Sequence, residues 1–238
     1  MKSELRIDGR PVFIRYKRIK NLNLRLVRQP AHPEGAIMIS APMRMSEARI
    51  VEFVRSKADW ITKQQTKLAA RPAPAPVVYE AGALFALWGE AYPLRLTHAT
   101  RGQGVHFADG QWHMAVRQDA ADEKKAKLME AAYRNILEQE AETRLQEWSQ
   151  TMRLDEQGLT PQGLSAQKMS SRWGSCHVSR RTIKLNSELA RKPVAMLEYV
   201  LVHELVHLFE RGHNKRFYGL MDRYLPNWQG TRRALNAS

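Results

Sequence analysis

From Val194 to Phe209 the chain reads VAMLEYVLVHELVHLF, a stretch with almost no polar side. Proline is tolerated in the first turn of a helix, so Pro193 marks the start of one, and the pattern continues to about Arg211. Val194, Leu197, Leu201, Leu205 and Leu208 fall on one side of it, and Tyr199, Val202, Val206 and Phe209 on another. A helix that is apolar nearly all round has to be buried. Any fold this chain adopts must therefore wrap this segment, and must do so around His203, Glu204 and His207.

Residues four apart share a helix face, so His203 and His207 can grip one metal ion while Glu204 stays beside it, unbound. A lone histidine in such a helix is usually a hydrogen-bonded core residue. Two at this spacing beside a glutamate would leave three polar groups uncompensated in apolar surroundings. Metal coordination supplies the compensation. Zinc accepts neutral imidazoles, and its catalytic sites combine three protein ligands with an open position.

His213 is the best third ligand. Gly212 can take the left-handed conformation that ends a helix and turns the chain back, and the only acidic residue after His213 is Asp222. One zinc ion per chain is therefore expected on His203, His207 and His213, with Glu204 as general base toward water. The separation of His203 from His213 matches that in metzincins, but Glu210 stands where they place a glycine, which argues against that family.

The rest of the chain frames this site. Short β-prone runs at Val12 to Tyr16, Leu22 to Val27 and Ala36 to Ser40, punctuated by Asp8-Gly9 and by Pro30 to Gly35, predict a small antiparallel meander. Ser46 is placed to cap a helix over 46–70 with Ile50, Phe53, Val54, Trp60 and Ile61 as its apolar side. Arg71-Pro72-Ala73-Pro74-Ala75-Pro76 then reads as an extended linker. More β-prone sequence follows over Leu84 to Leu96 and Val105 to Val116, with Asp109-Gly110 as a hairpin turn. Tyr133, Leu137, Ala141, Leu145 and Trp148 then recur at helical spacing within Asp122 to Thr151. Two further strands, Leu164 to Met169 and Thr182 to Asn186, flank Ser170 to Cys176. The expected organisation is a β-rich region over 1–119 and a catalytic domain over 120–238, with no internal repeat.

Composition narrows the function class. With 43% hydrophobic and 26% charged residues, the chain is globular rather than disordered. The start of the sequence is polar, and no apolar run reaches the ~20 residues that span a bilayer. The single cysteine, Cys176, cannot form an intrachain disulfide, so a cytoplasmic location without membrane contact is expected. The formal charge of +14 fits either a solvated basic surface or an electrostatic footprint for nucleic acid, and no nucleic-acid-binding motif accompanies it. The oligomeric state has no sequence signal.

Substrate contacts have weaker signatures. Asn186, or backbone groups of Thr182 to Leu185, would hold an extended peptide if that strand lay at a sheet edge, and Arg172 and Tyr218 are candidates to stabilise an oxyanion.

Ser171-Arg172-Trp173-Gly174-Ser175-Cys176, Ile183-Lys184-Leu185-Asn186, His203-Glu204-Leu205-Val206-His207 and His213-Asn214-Lys215-Arg216-Phe217-Tyr218 together resemble the YgjP-like metal-dependent hydrolases, relatives of the SprT-like and WLM zinc metallopeptidases. The resemblance implies an α+β fold in which a β-rich N-terminal part precedes a zincin-like core built on the HExxH helix. It also implies zinc on His203, His207 and His213, a catalytic Glu204, and a site shaped by Arg172, Trp173, Gly174 and Ser175. Two details depart from the usual pattern: Gly212 stands where asparagine is common, and Ser187 where an aromatic is common. The expected function is a zinc-dependent peptidase acting on peptide or protein. The alternatives are a nucleotide or phosphate-ester hydrolase and a nucleic-acid-associated, SprT-like protease.

Overall fold

The computed structural model describes residues 2–29, 31–70 and 77–237, and the contacts divide the chain into two compact units, Met1–Pro76 and Val77–Ser238. The proline-alanine segment expected to act as a linker, 71–76, lies outside the described residues. The division falls there and not near residue 119, because the strands between 84 and 116 share their core with the helix that follows them.

In the first unit, Asp8 and Gly9 both take positive φ, 50° and 78°. This is the geometry of the tight turn whose twist suits a hairpin, and it joins β1 (Lys2–Ile7) to β2 (Arg10–Lys17). A second hairpin pairs β3 (Asn23–Gln29) with β4 (His32–Pro42). The hairpins meet through β2 and β4, which run parallel with Val12 opposite Ile37 and Ile14 opposite Ile39. The sheet order is therefore β1-β2-β4-β3, and not the meander that the sequence predicts. Burial explains the difference. β4 contributes Ile37, Ile39 and Ala41 to the core and takes a central position, whereas β3, with exposed Asn23, Arg25 and Val27, is left at the edge.

The helix expected over 46–70 is interrupted at Lys57, giving α1 (Glu47–Ser56) and α2 (Ala58–Ala70). Ser46 occupies the N-cap position, but its side chain makes no capping hydrogen bond. Ile50, Val54 and Ile61 close the core against the sheet. Trp60 is 44% exposed and does not belong to that apolar side.

The second unit begins with the same topology. β5 (Leu84–Leu87), β6 (Glu90–His98), β7 (Gly104–Ala108) and β8 (Gln111–Val116) form a sheet of order β5-β6-β8-β7. The pairings are again antiparallel, parallel and antiparallel. The repeat is one of topology, which no recurrence of residues announces. The turns Trp88-Gly89 and Asp109-Gly110 have the same paired positive φ as Asp8-Gly9. One face, with Leu94, Trp112, Met114 and Val116, packs on Met129, Tyr133 and Leu137 of α3 (Asp122–Thr151). The polar tips of the buried aromatics are satisfied by the β5 backbone: Trp112 Nε1 donates to the Phe85 carbonyl at 3.2 Å and Tyr133 Oη to the Ala86 carbonyl at 2.7 Å.

The same core continues into a three-stranded sheet of β9 (Gly163–Gln167), β10 (Gly174–His177) and β11 (Thr182–Asn186), ordered β10-β11-β9. It ends at α4 (Val194–Phe209), α5 (Lys215–Tyr224) and α6 (Trp228–Ala237). The fold is a mixed α+β one, strand-rich at its start and helical at its end.

Candidate metal centre

Helix α4 is as buried as its sequence requires. Leu197, Leu201, Val202, Leu205 and Val206 are fully enclosed, so the polar side chains it carries have protein on nearly every side. Its start is seated on the preceding sheet: Trp88 N–H donates to the Ala190 carbonyl at 2.8 Å, and a Cβ on Gly89 would sit 2.9 Å from Pro193.

His203, His207 and His213 converge. One ligand-capable nitrogen from each lies within 4.8 Å of the others, and the ring centroids are 4.9, 5.0 and 4.9 Å apart. His203 Nε2 and His213 Nε2 approach to 3.1 Å. Among the described residues this is the one group of three or more His, Cys, Asp or Glu side chains with such convergence.

His213 arrives by a different route from the one expected. The helix ends in an extended Glu210 (φ −145°, ψ 113°), and Gly212 is not among the residues with positive φ. The turn is held instead by hydrogen bonds: Gly212 N–H donates to Glu210 Oε1 at 3.3 Å, and Asn214 N–H to the Gly212 carbonyl at 2.9 Å. Asn214 then caps α5 by accepting from Phe217 N–H at 3.1 Å. The cap places Phe217, fully buried, with its ring centroid 4.9, 4.8 and 4.6 Å from those of His203, His207 and His213. The imidazoles therefore converge over an apolar floor.

The donor set suits a cation. Burial pushes the pKa of His203 down to about 3, with the neighbouring His207 and His213 adding to the effect, and it lowers that of His207 as well. Both imidazoles are thus held neutral, as metal ligands must be. His207 Nδ1 lies 3.1 Å from the Glu210 carbonyl, which orients the ring and leaves Nε2 as the free donor atom. His203 Nδ1 is buried with no hydrogen-bond partner among the described residues, while Nε2 of the same ring is the atom that faces His213.

Glu204 faces the β10 side of the helix. It is 5% exposed, and burial raises its pKa to about 7 against the opposing influence of the Cys176 backbone N–H and the Arg172 charge. Gly174 explains how a carboxylate fits there. A Cβ at that position would stand 2.7 Å from Glu204 Oε1 and 2.8 Å from Val200 Cγ1, so the strand passes this close only without a side chain. The segment expected to be a loop between two strands is in fact partly β10, and it roofs Glu204.

The other predicted residues divide. Arg172 is near enough to Glu204 for its charge to be felt there, while Trp173 packs against the core. Ser175 lies half-buried within β10. Asn186 is fully engaged: its Nδ2 donates to the carbonyls of Met169 at 3.1 Å and Arg172 at 3.0 Å, and its Oδ1 accepts from the N–H groups of Met169 and Glu188, both at 3.3 Å. It pins the 169–172 loop to β11, leaving no polar capacity for a substrate. β11 lies between β10 and β9, so its backbone is not a free edge. The edge is β10. Asn186 N–H donates to the Trp173 carbonyl at 2.8 Å, and the alternation of an antiparallel pair then turns the backbone groups of Gly174 and Cys176 away from β11.

Tyr218 belongs to a stack that sequence reasoning did not assemble. Its ring lies 5.7 Å from that of Trp228 at 4°, and Trp228 lies 6.1 Å from Tyr199 at 2°. The stack borders the histidines at both ends, Tyr218 near His213 at 6.4 Å and Tyr199 near His203 at 5.9 Å. Arg232 lies over Trp228 at 5.8 Å and its charge reaches His203. Tyr199 had a signal, since it precedes His203 by the same four residues that separate His203 from His207. Trp228 and Arg232, on a separate helix, had none.

No curated protein sequence matches the chain. Among solved structures, the metallopeptidase zymogen of Pyrococcus abyssi abylysin aligns at 17% identity and a TM-score of 0.34, over 40% of this chain and 90% of that one. The family described as YgjP-like, metallopeptidase domain, matches residues 21–238, a span that takes in α4, its three convergent histidines and Glu204. The chain belongs to the YgjP-like metallopeptidase family.

Proposed function

We propose that the protein is a zinc-dependent peptidase in which His203, His207 and His213 hold the ion and Glu204 is the general base. One observation carries this reading: three imidazole donors converge within 4.8 Å, with a carboxylate next to the first of them on the same helix. His203 Nε2 and His213 Nε2 lie 3.1 Å apart, close enough for both to serve one small cation, and a set of imidazole donors suits zinc. When bound, zinc supplies a Lewis acid that polarises a carbonyl and brings the pKa of water to about 7.

The protein's own part is positioning and proton transfer. Glu204, held under β10 by its fit against Gly174, takes a proton from the attacking water onto its carboxylate and delivers it to the departing amine. Phe217 keeps water from beneath the imidazoles. The outward backbone groups of β10 other than the Cys176 N–H, which serves Glu204, pair with an extended peptide, and the stack of Tyr218, Trp228 and Tyr199 borders the histidines. This motivates a test: Glu204→Gln retains one zinc per chain by elemental analysis while peptide hydrolysis falls about 10³-fold. Full hydrolysis by a zinc-loaded Glu204→Gln protein would sink the mechanism.

Arg172 and Arg232, whose charges reach Glu204 and His203, favour one second reading, hydrolysis of a phosphate ester at the same centre. The zinc-loaded protein assayed on a peptide library and on nucleoside triphosphates separates the two. Turnover confined to the triphosphates would replace the peptidase reading.

A further inference from the structure

Positive charge is divided unequally between the two units. Residues 1–76 hold 16 Lys and Arg against 6 Asp and Glu, a net of +10, whereas residues 77–238 hold 22 against 18, a net of +4. The smaller unit thus carries most of the +14, and the alternation of its strands sorts that charge by face. Val12, Ile14, Ile37 and Ile39 point to the side that shares a core with Ile50, Val54 and Ile61 of α1 and α2. The opposite side presents Phe13, Arg15 and Lys17 from β2, Met38 and Ser40 from β4, Arg25 from β3, and Glu4 and Arg6 from β1, Glu4 standing opposite Phe13.

Register brings these residues together. Phe13 is opposite Met38 and Met38 opposite Arg25, while Arg15 is opposite Ser40 on the next rung with the same facing. A cavity of about 290 Å³ opens among them, lined by Phe13, Arg15, Arg25, Gln29, Met38 and Ser40. Phe13 is half-buried in it, with the His32 ring at 5.6 Å. Arg15 and Arg25 are exposed at its sides, and among the described residues no salt bridge engages Arg6, Arg15, Lys17 or Arg25. Glu4 is outnumbered on this face by Arg6, Arg15, Lys17 and Arg25, and an excess of cations of this kind favours a polyanionic partner.

We propose that this sheet face binds single-stranded nucleic acid, with Arg15, Lys17 and Arg25 on successive phosphates and Phe13 as the platform for one base. The aromatic ring decides between polyanions. A ring lying in a concave sheet face between guanidinium groups can receive the flat face of an unpaired base, as single-strand-binding sheets do. An anionic membrane calls for apolar side chains that project outward, usually from an amphipathic helix. A duplex keeps its bases stacked and unavailable to Phe13. The affinity rests on phosphate contacts and stacking, which carry little sequence information.

The test titrates the full chain against fluorescein-labelled 20-mers, single-stranded DNA and RNA and a duplex, by anisotropy at 50 to 200 mM salt. Both single strands are expected to bind more tightly than the duplex, with log K falling against log salt at a slope of about −2, or roughly −0.7 for each of three phosphates. Arg15→Ala/Arg25→Ala should weaken binding at least tenfold at the lower salt and flatten the slope by about 1.4. Phe13→Leu should weaken it roughly tenfold with the slope unchanged, the signature of lost stacking. Lys63→Ala/Lys67→Ala removes the same charge from α2, on the other side of the sheet, and should change affinity less than twofold. Melting curves confirm that each variant is folded. Equal losses in the two double variants would overturn the proposal. So would tighter binding to phosphatidylserine-containing vesicles than to oligonucleotides, or the absence of salt-dependent binding.

Discussion

The two four-stranded sheets share order and pairing sense but differ in what they support. The first, with β1 to β4, closes a small aliphatic core of its own with two short helices and leaves its other face to solvent and charge. The second, with β5 to β8, fills its inner face with Trp112 and packs it on Tyr133 of α3, and that core runs without interruption to α4. The lesson is that topology alone assigned neither sheet a task. The second sheet bears on the metal centre because the tip of its first hairpin is seated on the start of the HExxH helix, through Trp88 on Ala190 and Gly89 against Pro193.

The contrast can be broken most forcefully in the two cores. Trp112→Ala should cost about 3–5 kcal/mol and reduce the share of chain that binds zinc at 37 °C, read by melting temperature and by zinc titration. Ile39→Ala should cost about 2–5 kcal/mol in the first unit and leave zinc affinity unchanged. If Ile39→Ala weakens zinc binding as much as Trp112→Ala does, the two cores are not separate in the way described.

Glycine contacts sharpen the comparison next. Gly174→Ala introduces a methyl group at 2.7 Å from Glu204 Oε1, and a carboxylate displaced by that much should lose about 10²-fold in peptide hydrolysis with zinc content unchanged. A Cβ at Gly9, in the first unit's hairpin, meets nothing within 4 Å, so Gly9→Ala should cost only the strain of its φ of 78°, about 1 kcal/mol. An active Gly174→Ala enzyme would show that β10 does not hold the carboxylate.

A smaller effect is expected from Asn214→Ala. Loss of the cap should cost about 1 kcal/mol, loosen α5 beneath His213, and lower zinc affinity roughly fivefold by titration. Unchanged affinity would mean that His213 is placed by the 210–212 turn alone.

The least effect concerns pH. Burial works to raise the pKa of Glu188, but the Lys168 hydrogen bond and the Arg191 charge outweigh it and hold the carboxyl below its ordinary value of 4.5. Asp8 is also lowered, chiefly by its hydrogen bond to Arg55, but that pair is exposed. A carboxyl with a depressed folded pKa stabilises the protein fully above its unfolded value, and that contribution is lost as pH falls through the folded one. Stability should therefore decline below about pH 4.5, and less so in Glu188→Gln. High salt should remove the Asp8 contribution and spare most of that from Glu188. Melting curves from pH 3 to 6 at two salt concentrations check both statements.

Much of this was legible along the chain. α3 spans Asp122–Thr151 and β11 Thr182–Asn186, the ranges their patterns predict, because a helix face and an alternating strand are written in neighbouring residues. β10 was not legible. It is four residues long, polar and glycine-led, and it is a strand only because β11 pairs with it and Glu204 lies beneath it. The parallel pairing of β2 with β4 was hidden for a related reason: two hairpins can join in several ways, and burial of Ile37 and Ile39 selected one.

By itself the sequence determined the buried helix, the two imidazoles four residues apart on it and the carboxylate beside the first, since a repeat of 3.6 residues per turn is local. The tertiary structure alone decided that His213 completes the trio over Phe217, that Gly174 makes room for Glu204, that Asn186 serves the backbone, and that Arg15 and Arg25 flank Phe13. Each of these joins residues on separate elements, and such proximity arises only when buried apolar surface forces those elements together.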